Sequence, residues 1–288
     1  MGHSLYFGGT ADDPTGTEMK YLGGPDYGIT LNMEEQDLLI SCFADVQAAP
    51  GGYAASSYGM GHSPKTLIAP CIMKGDSWRE VKRKTRNLNF LLSKNRLCAL
   101  RFEDIDVDLW DDTTVSNLYW LVRLTGRTRP KIYGNGLAFE LEFTAPDPRA
   151  YGVTEITQTV NLSAGTNSFN VPASGTLEGN AEPDVTWLFK PSGSGATNPV
   201  ALRNTTRDET LTWNNTLTTA EWLRVKAFAH PQIVEKTGDS GGTYTAVNSS
   251  LSAGARFPKL SPGVANACQL TGCAGTGTLE ISYRPRFE

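Results

Sequence analysis

Residues 137–152 read LAFELEFTAPDPRAYG, and inside this stretch a regular strand comes to a stop. Phe139, Leu141 and Phe143 alternate with Ala138, Glu140 and Glu142, the period of two that sets one face of a strand in a core and the other in water. Pro146 and Pro148 follow. Neither can donate to a ladder, and each drives the residue before it into extended geometry, so no central strand runs through them. The break falls near the middle of 288 residues, a length that suits two ordinary domains. The expectation is a seam, with one domain over 1–149 and a second over 150–288.

Before the seam, SWREVKRKTRNLNFLLSK (77–94) has the pattern of a helix. Ser77 and Glu80 stand at capping-box spacing, and Trp78, Val81, Thr85, Leu88 and Leu92 recur at steps of three and four as one buried stripe. Arg79, Lys82, Arg83 and Arg86 occupy the other face, with Lys84 close by; a solvated face and a partner-binding face both fit. The next stretch inverts the charge. In RFEDIDVDLWDD (101–112) Ile105, Val107 and Leu109 alternate with Asp104, Asp106 and Asp108, giving a strand with one self-repelling acidic side unless something basic lies nearby. It is no EF-hand loop, because Leu109 and Val115 stand where that loop needs Gly and Glu. Strands are expected at 117–127 and 131–144, joined by Thr128-Arg129-Pro130. The first domain is thus a small antiparallel sheet or sandwich around one helix.

Beyond the seam the chain is rich in Thr, Ser, Asn and Gly, with short extended segments at close spacing: ITQTVNL, NSFNV, DVTWLF, TLTWN, EWLRVKAF, PQIVEK, GTYTAV and TLEISYRPRF. That texture predicts a β-sandwich or jelly roll. In TTAEWLRVKAF a T-x-x-E competes as a helix start, but Leu223, Val225 and Ala227 alternate, and a strand is expected.

Composition narrows the function. A net charge of −4 spread over both halves argues against binding nucleic acid through its phosphates. The first residues lack a signal-peptide pattern, and no apolar run approaches the ~20 residues of a membrane span. Five scattered cysteines point to thiols in a reducing cytoplasm; Cys268 and Cys273 flank QLTG, read as a hairpin tip where a cross-link is conceivable. His3, His62 and His230 are far apart and outside any ligand spacing, so no metal or other cofactor is expected. Glu140 and Glu142 share a strand face, yet paired carboxylates need a cleft before they suggest glycoside chemistry. No catalytic residue is assigned. Trp187, Trp213, Trp222 and Tyr244 form a candidate sugar-stacking platform, weighed against the commoner fate of Trp in sandwiches, the core.

FELEFTAPDPRAYG resembles the segment that closes the N-terminal domain in distal tail proteins of long-tailed bacteriophages, an F-x-x-P-D-P-x-x-Y run after sheet strands. The order of elements matches as well: strands, an amphipathic helix ending L-x-F-L-L, an L-x-x-L-R-F-like strand, then a hairpin. Further on, GNAEPDVTWLF, NPVALRNTT, ARFPKLSPGVAN and TGTLEISYRPRF resemble the galectin-like C-terminal domain of that family. The resemblance covers most of residues 65–288. It implies a mainly β protein without catalysis, an N-terminal β-sandwich or sheet with one amphipathic helix and a C-terminal galectin-like jelly roll. It also implies a homohexameric ring at the virion tail tip, assembled in the host cytoplasm. Its partners would be the tail tube protein, the tail-tip hub, the tape-measure protein and a receptor-binding protein, with DNA only in transit and no membrane insertion.

In such a ring Arg79, Lys82, Arg83 and Arg86 become a candidate subunit interface, and Asp104, Asp106 and Asp108 a candidate interface or channel lining. The alternative function is a carbohydrate-binding module or receptor-binding tail component acting through the second domain, and a glycan-active enzyme stands third.

Overall fold

The computed structural model describes residues 4–11, 13–31, 64–94, 96–103, 118–192, 200–227, 232–238 and 241–287. The chain divides into two compact units, 1–153 and 154–288. The division falls later than 149 because Ala150–Gly152 forms a short strand that pairs within the first unit.

The first unit contains β1 (Ser4–Gly9), β2 (Lys20–Tyr21), β3 (Ile29–Leu31), β4 (Lys65–Lys74), α1 (Trp78–Leu92), β5 (Cys98–Glu103), β6 (Leu118–Arg127), β7 (Lys131–Tyr133), β8 (Gly136–Ala145) and β9 (Ala150–Gly152). Among the described residues, its strands pair with one another antiparallel. One sheet runs β2, β1, β5, β6, β9, and the other runs β3, β4, β8, with β6 and β7 sharing the far edge of β8. Strand β6 belongs to both. Its first half pairs with β5 and β9, its second half pairs with β8, and a register shift between Leu124 and Gly126 marks an irregularity in the second pairing. The stretch expected as one strand over 131–144 is therefore a hairpin, β7 and β8, turned at Gly134-Asn135.

Strand β8 is buried as its alternation predicts. Leu141, Phe143 and Ala145 point into the core and Glu140 and Glu142 into water, and the strand ends at Ala145, just before Pro146. Beyond it Asp147 gathers the chain: its carboxylate accepts from the Arg149 backbone N–H, from Nε and Nη2 of the same arginine, and from the Tyr151 hydroxyl. Tyr151 stacks on Tyr119 of β6 at 5.4 Å. The proline pair thus ends one strand and aims the next.

Helix α1 begins as expected, the Ser77 hydroxyl accepting from the Glu80 backbone N–H. Glu80 reaches back one residue further than a capping box requires, to the Asp76 backbone N–H at 2.8 Å. The buried face is Val81, Lys84, Leu88, Leu91 and Leu92. Each buried Leu contributes about 2 kcal/mol of hydrophobic stabilisation. Trp78, expected in this stripe, is 37% exposed in the first turn, and Lys84, expected near the polar face, is buried. Lys84 is tolerated there because its ammonium donates to the Lys74 carbonyl at 2.8 Å and pairs with Glu80 at 2.9 Å.

The second unit is a two-sheet sandwich. It contains β10 (Ile156–Leu162), β11 (Gly165–Val171), β12 (Ala181–Pro191), β13 (Val200–Asn204), β14 (Glu209–Trp213), β15 (Leu223–Lys226), β16 (Ile233–Thr237), β17 (Tyr244–Ala246), β18 (Asn266–Cys273) and β19 (Gly277–Phe287). One sheet runs β10, β19, β12, β15, β16, β17 and the other β11, β18, β13, β14. Trp187, Phe189, Leu202, Leu211, Leu270 and Ile281 fill the space between them. A residual gap of about 10 Å³ there is at the lower limit for one water, so the layers are well packed. Leu223 and Val225 are buried as strand residues, so the alternation, and not the T-x-x-E, decides the structure. The Thr218 and Glu221 motif survives as a turn, the Glu221 carboxylate accepting from the Thr218 N–H.

The hairpin tip expected between Cys268 and Cys273 is absent. Both residues lie on β18 as buried free thiols, five residues apart and hence about 16 Å along a strand, far beyond disulfide reach.

Candidate functional site

Three groups of residues come forward from the sequence, and the structure treats them differently. Arg79, Lys82, Arg83 and Arg86 all lie on the exposed face of α1. Among the described residues, one of the four stands in an ion pair, Arg83 with Asp26 at 4.0 Å, and both partners are largely exposed, so the pair adds little. The four cations are spaced three and four apart. Such like-charged neighbours each cost an isolated helix about 0.2–0.5 kcal/mol. The stripe also continues past the helix: Arg127 at the end of β6 donates to the Asn89 side chain at 2.7 Å, one turn beyond Arg86.

Phe90, four residues after Arg86, is 83% exposed. Sequence reasoning passed over Phe90 and Arg127. The signal for Phe90 was present, since it stands two residues from both Leu88 and Leu92 and so falls on the opposite side of the helix. Arg127 became part of the stripe only through folding.

The acidic group Asp104, Asp106 and Asp108 lies outside the described residues. Strand β5 is described to Glu103.

The four aromatics do not assemble as a platform. Trp187 and Trp213 are 1% and 0% exposed in the sandwich core, and the Trp187 indole N–H donates to the Pro258 carbonyl at 3.1 Å, so neither offers a ring to solvent. This corrects half of the expected set. Trp222 and Tyr244 are half-buried on the outer side of the six-stranded sheet, but their rings are occupied. The Lys190 ammonium stands 4.6 Å from the Trp222 centroid, and Gly241 lies so near that an added Cβ would be 2.9 Å from the ring. The Arg224 guanidinium stacks 3.5 Å from the Tyr244 centroid. Lys190 is itself paired with Glu280, and Arg224 with Glu235 at 2.7 Å. This charged lattice fastens the sheet together.

The motifs that carry the resemblance have structural roles. At Gly179 the chain passes so close to β19 that a Cβ would stand 2.3 Å from the Arg286 carbonyl oxygen, and the Asn180 N–H donates to that oxygen. In FPKLSPGVAN, Pro258 anchors Trp187, Leu260 is fully buried, and the Gly263 N–H donates to the Leu177 carbonyl. Two buried amides hold this strap. Asn204 donates to the Lys259 carbonyl and to the Asn266 side chain, while Asn266 donates to the carbonyls of Val171, Ser261 and Val264 and accepts from the Ser261 N–H. Arg207 lies over the strap between Glu182 at 2.7 Å and Glu209 at 3.2 Å. Partial burial weakens its charge, but the two carboxylates outweigh that and raise its pKa.

Burial pushes the thiols of Cys71 and Cys268 up to about 12, leaving them poor nucleophiles. Among the described residues no group of three or more His, Cys, Asp or Glu is placed to hold a metal ion, and no helix is long and apolar enough to cross a membrane. A surface depression of about 310 Å³ over β11 and β18 is lined by Ser168, Asn170, Thr205 and Gln269 together with Phe169, Ala267 and Cys268, whose thiol is the one titratable group in the lining.

No family model matches the sequence, and no curated protein matches it either. Solved structures do. The Dit (gp 19.1) protein of phage SPP1, described as a paradigm of the hub adsorption apparatus in phages infecting Gram-positive hosts, is similar with a TM-score of 0.60 over 99% of each chain at 15% identity. A chain of the phage P2 baseplate in its activated, calcium-bound conformation is similar with a TM-score of 0.51 over 99% of this chain and 98% of that one, at 10% identity. Across its two units, the chain has a mainly β fold like that of SPP1 Dit.

Proposed function

We propose that the protein is a structural component of a phage tail, a distal tail protein without catalysis. Six copies close into a ring that joins the tail tube to the tail tip and leaves a channel for DNA. The observation that carries this reading is the similarity to SPP1 Dit over 99% of both chains, which takes in the helix-bearing first unit and the sandwich together. Strand β7 adds a physical reason for assembly. Among the described residues it pairs on one side only, with Ile132 67% and Tyr133 64% exposed. Such an edge invites aggregation unless something covers it, and ring closure between identical copies does so. On this reading the tail tube protein, the tail-tip hub, the tape-measure protein and a receptor-binding protein are its neighbours at the virion tail tip, and assembly takes place in the host cytoplasm.

Native mass measurement with electron-microscopy class averages tests the proposal. Six copies of 31.2 kDa give about 187 kDa, and the averages should show sixfold rings. A protein that stays monomeric at micromolar concentration, or forms open chains, would overturn it.

A further inference from the structure

The exposed side of α1 carries Arg79, Lys82, Arg83 and Arg86, continues into Arg127, and ends in the open ring of Phe90. The first unit presents a complementary surface on another of its sides. On the outer face of the β4–β8 pair, Glu142 lies beside Ile68 and Glu140 beside Pro70. Both carboxylates are exposed, Ile68 is 38% exposed, and two residues along a strand set the glutamates about 7 Å apart. Helix neighbours three or four apart lie about 5–6 Å from each other, so two cations of the stripe can meet two carboxylates of the strand at once. Arginine and aromatic side chains are the types that protein interfaces concentrate, and opposed charge fixes partner and register.

From these observations, and resting on the ring reading above, we infer that the α1 stripe of one copy docks on the Glu140–Glu142 face of the next. A single chain cannot make this contact with itself. Val81 and Leu88 of α1 and Leu141 and Phe143 of β8 are buried in one core, and the Thr85 hydroxyl of the helix reaches the Met73 sulfur of β4 at 3.5 Å. Met73, Leu141 and Phe143 thus face the helix, while Ile68, Glu140 and Glu142, one residue out of step, face away from it. The two charged surfaces lie on opposite sides of the same unit, with the core between them. Neither is self-complementary, since each carries charge of one sign, so a two-fold pair does not bring them together. Unlike patches that meet head to tail repeat from copy to copy, which is the contact that closes a ring.

The test measures self-association of the full chain by native mass and light scattering across a salt series, with melting temperature as the check on folding. It compares wild type, the stripe variant Arg83→Glu with Arg86→Glu, the face variant Glu140→Arg with Glu142→Arg, all four changes in one chain, and an equal mixture of the stripe and face variants. Each variant alone should weaken association by about tenfold or more. The four changes in one chain should recover most of that loss. The mixture should recover it too, because alternating copies restore opposite charges at every junction of an even-numbered ring. Mixing does not rescue a variant that has merely misfolded.

If the stripe variant assembles with wild-type salt resistance, the stripe is a solvated face and the inference falls while the ring stands. If neither the combination nor the mixture recovers association, the Glu140–Glu142 face is not what the stripe binds. Recovery in the four-change chain but not in the mixture would place the contact within one chain and overturn the inference. A short DNA duplex bound by wild type and lost on arginine reversal, with association unchanged, would reassign the stripe to nucleic acid. A monomeric wild type would remove the ring reading and this inference together.

Discussion

Gly179 sits at φ +94° with the Arg286 carbonyl oxygen 2.3 Å from where a Cβ would be, so any other residue meets both strained backbone and immovable backbone. Gly175 has a similar φ of +74° but nothing within 4 Å of an added Cβ. The pair separates the two costs. Gly175→Ala should lower stability by about 1 kcal/mol, and Gly179→Ala by about 2 kcal/mol or more, read from urea denaturation midpoints at constant slope. Equal losses at the two sites would show that the close approach to β19 carries no weight. The buried amides make the same point in side chains: Asn204 and Asn266 are fully buried, and truncating either leaves several strap groups without partners, at about 1–3 kcal/mol for each orphaned group.

Helix α1 is held at its start by a set of contacts centred on Glu80. Its carboxylate accepts from Lys84 and from the Asp76 N–H, and in that order these bonds hold its pKa below the ordinary carboxylate value. A depressed folded pKa contributes stability above the unfolded value of ~4.3, and that stability is lost as pH falls through the lower folded value. Glu80→Gln should therefore be less stable than wild type at neutral pH, with the two proteins converging below about pH 4; melting temperatures across that range check it. A constant difference at all pH would mean that the charge of Glu80 is irrelevant and only its packing counts. The charged face was readable before folding and the role of Lys84 was not. Lys84 falls on the same helical stripe as Val81, Leu88 and Leu91, but its chemistry argues for water until a carbonyl and a carboxylate are brought to its ammonium.

For the whole molecule, the two units suggest independent folding. The core of the second unit, from Leu162 to Tyr283, is drawn from that unit alone. Residues 154–288 expressed by themselves should give a soluble, strand-rich domain with a single cooperative denaturant transition, while an aggregated or non-cooperative fragment would count against the division. Much of this architecture was legible in the chain because its causes are local. Prolines 146 and 148 end a strand wherever they occur, Ser77 and Glu80 start a helix by neighbouring hydrogen bonds, and alternation in β8, β12 and β19 sets which side is apolar. Strand β18 was misread because Cys268 and Cys273 look like the rims of a turn until β11 and β13 supply partners on either side. The sequence by itself determined the class, the break near the middle, and the basic face that α1 exposes. Tertiary structure alone decided which aromatics are core, which lysine is buried, that Arg127 joins the helix stripe, and that the FPKLSPGVAN strap closes the sandwich. These depend on groups far apart in the chain, such as Trp187 and Pro258 or Asn204 and Asn266, and the desolvation that fixes their roles exists only once the layers have met.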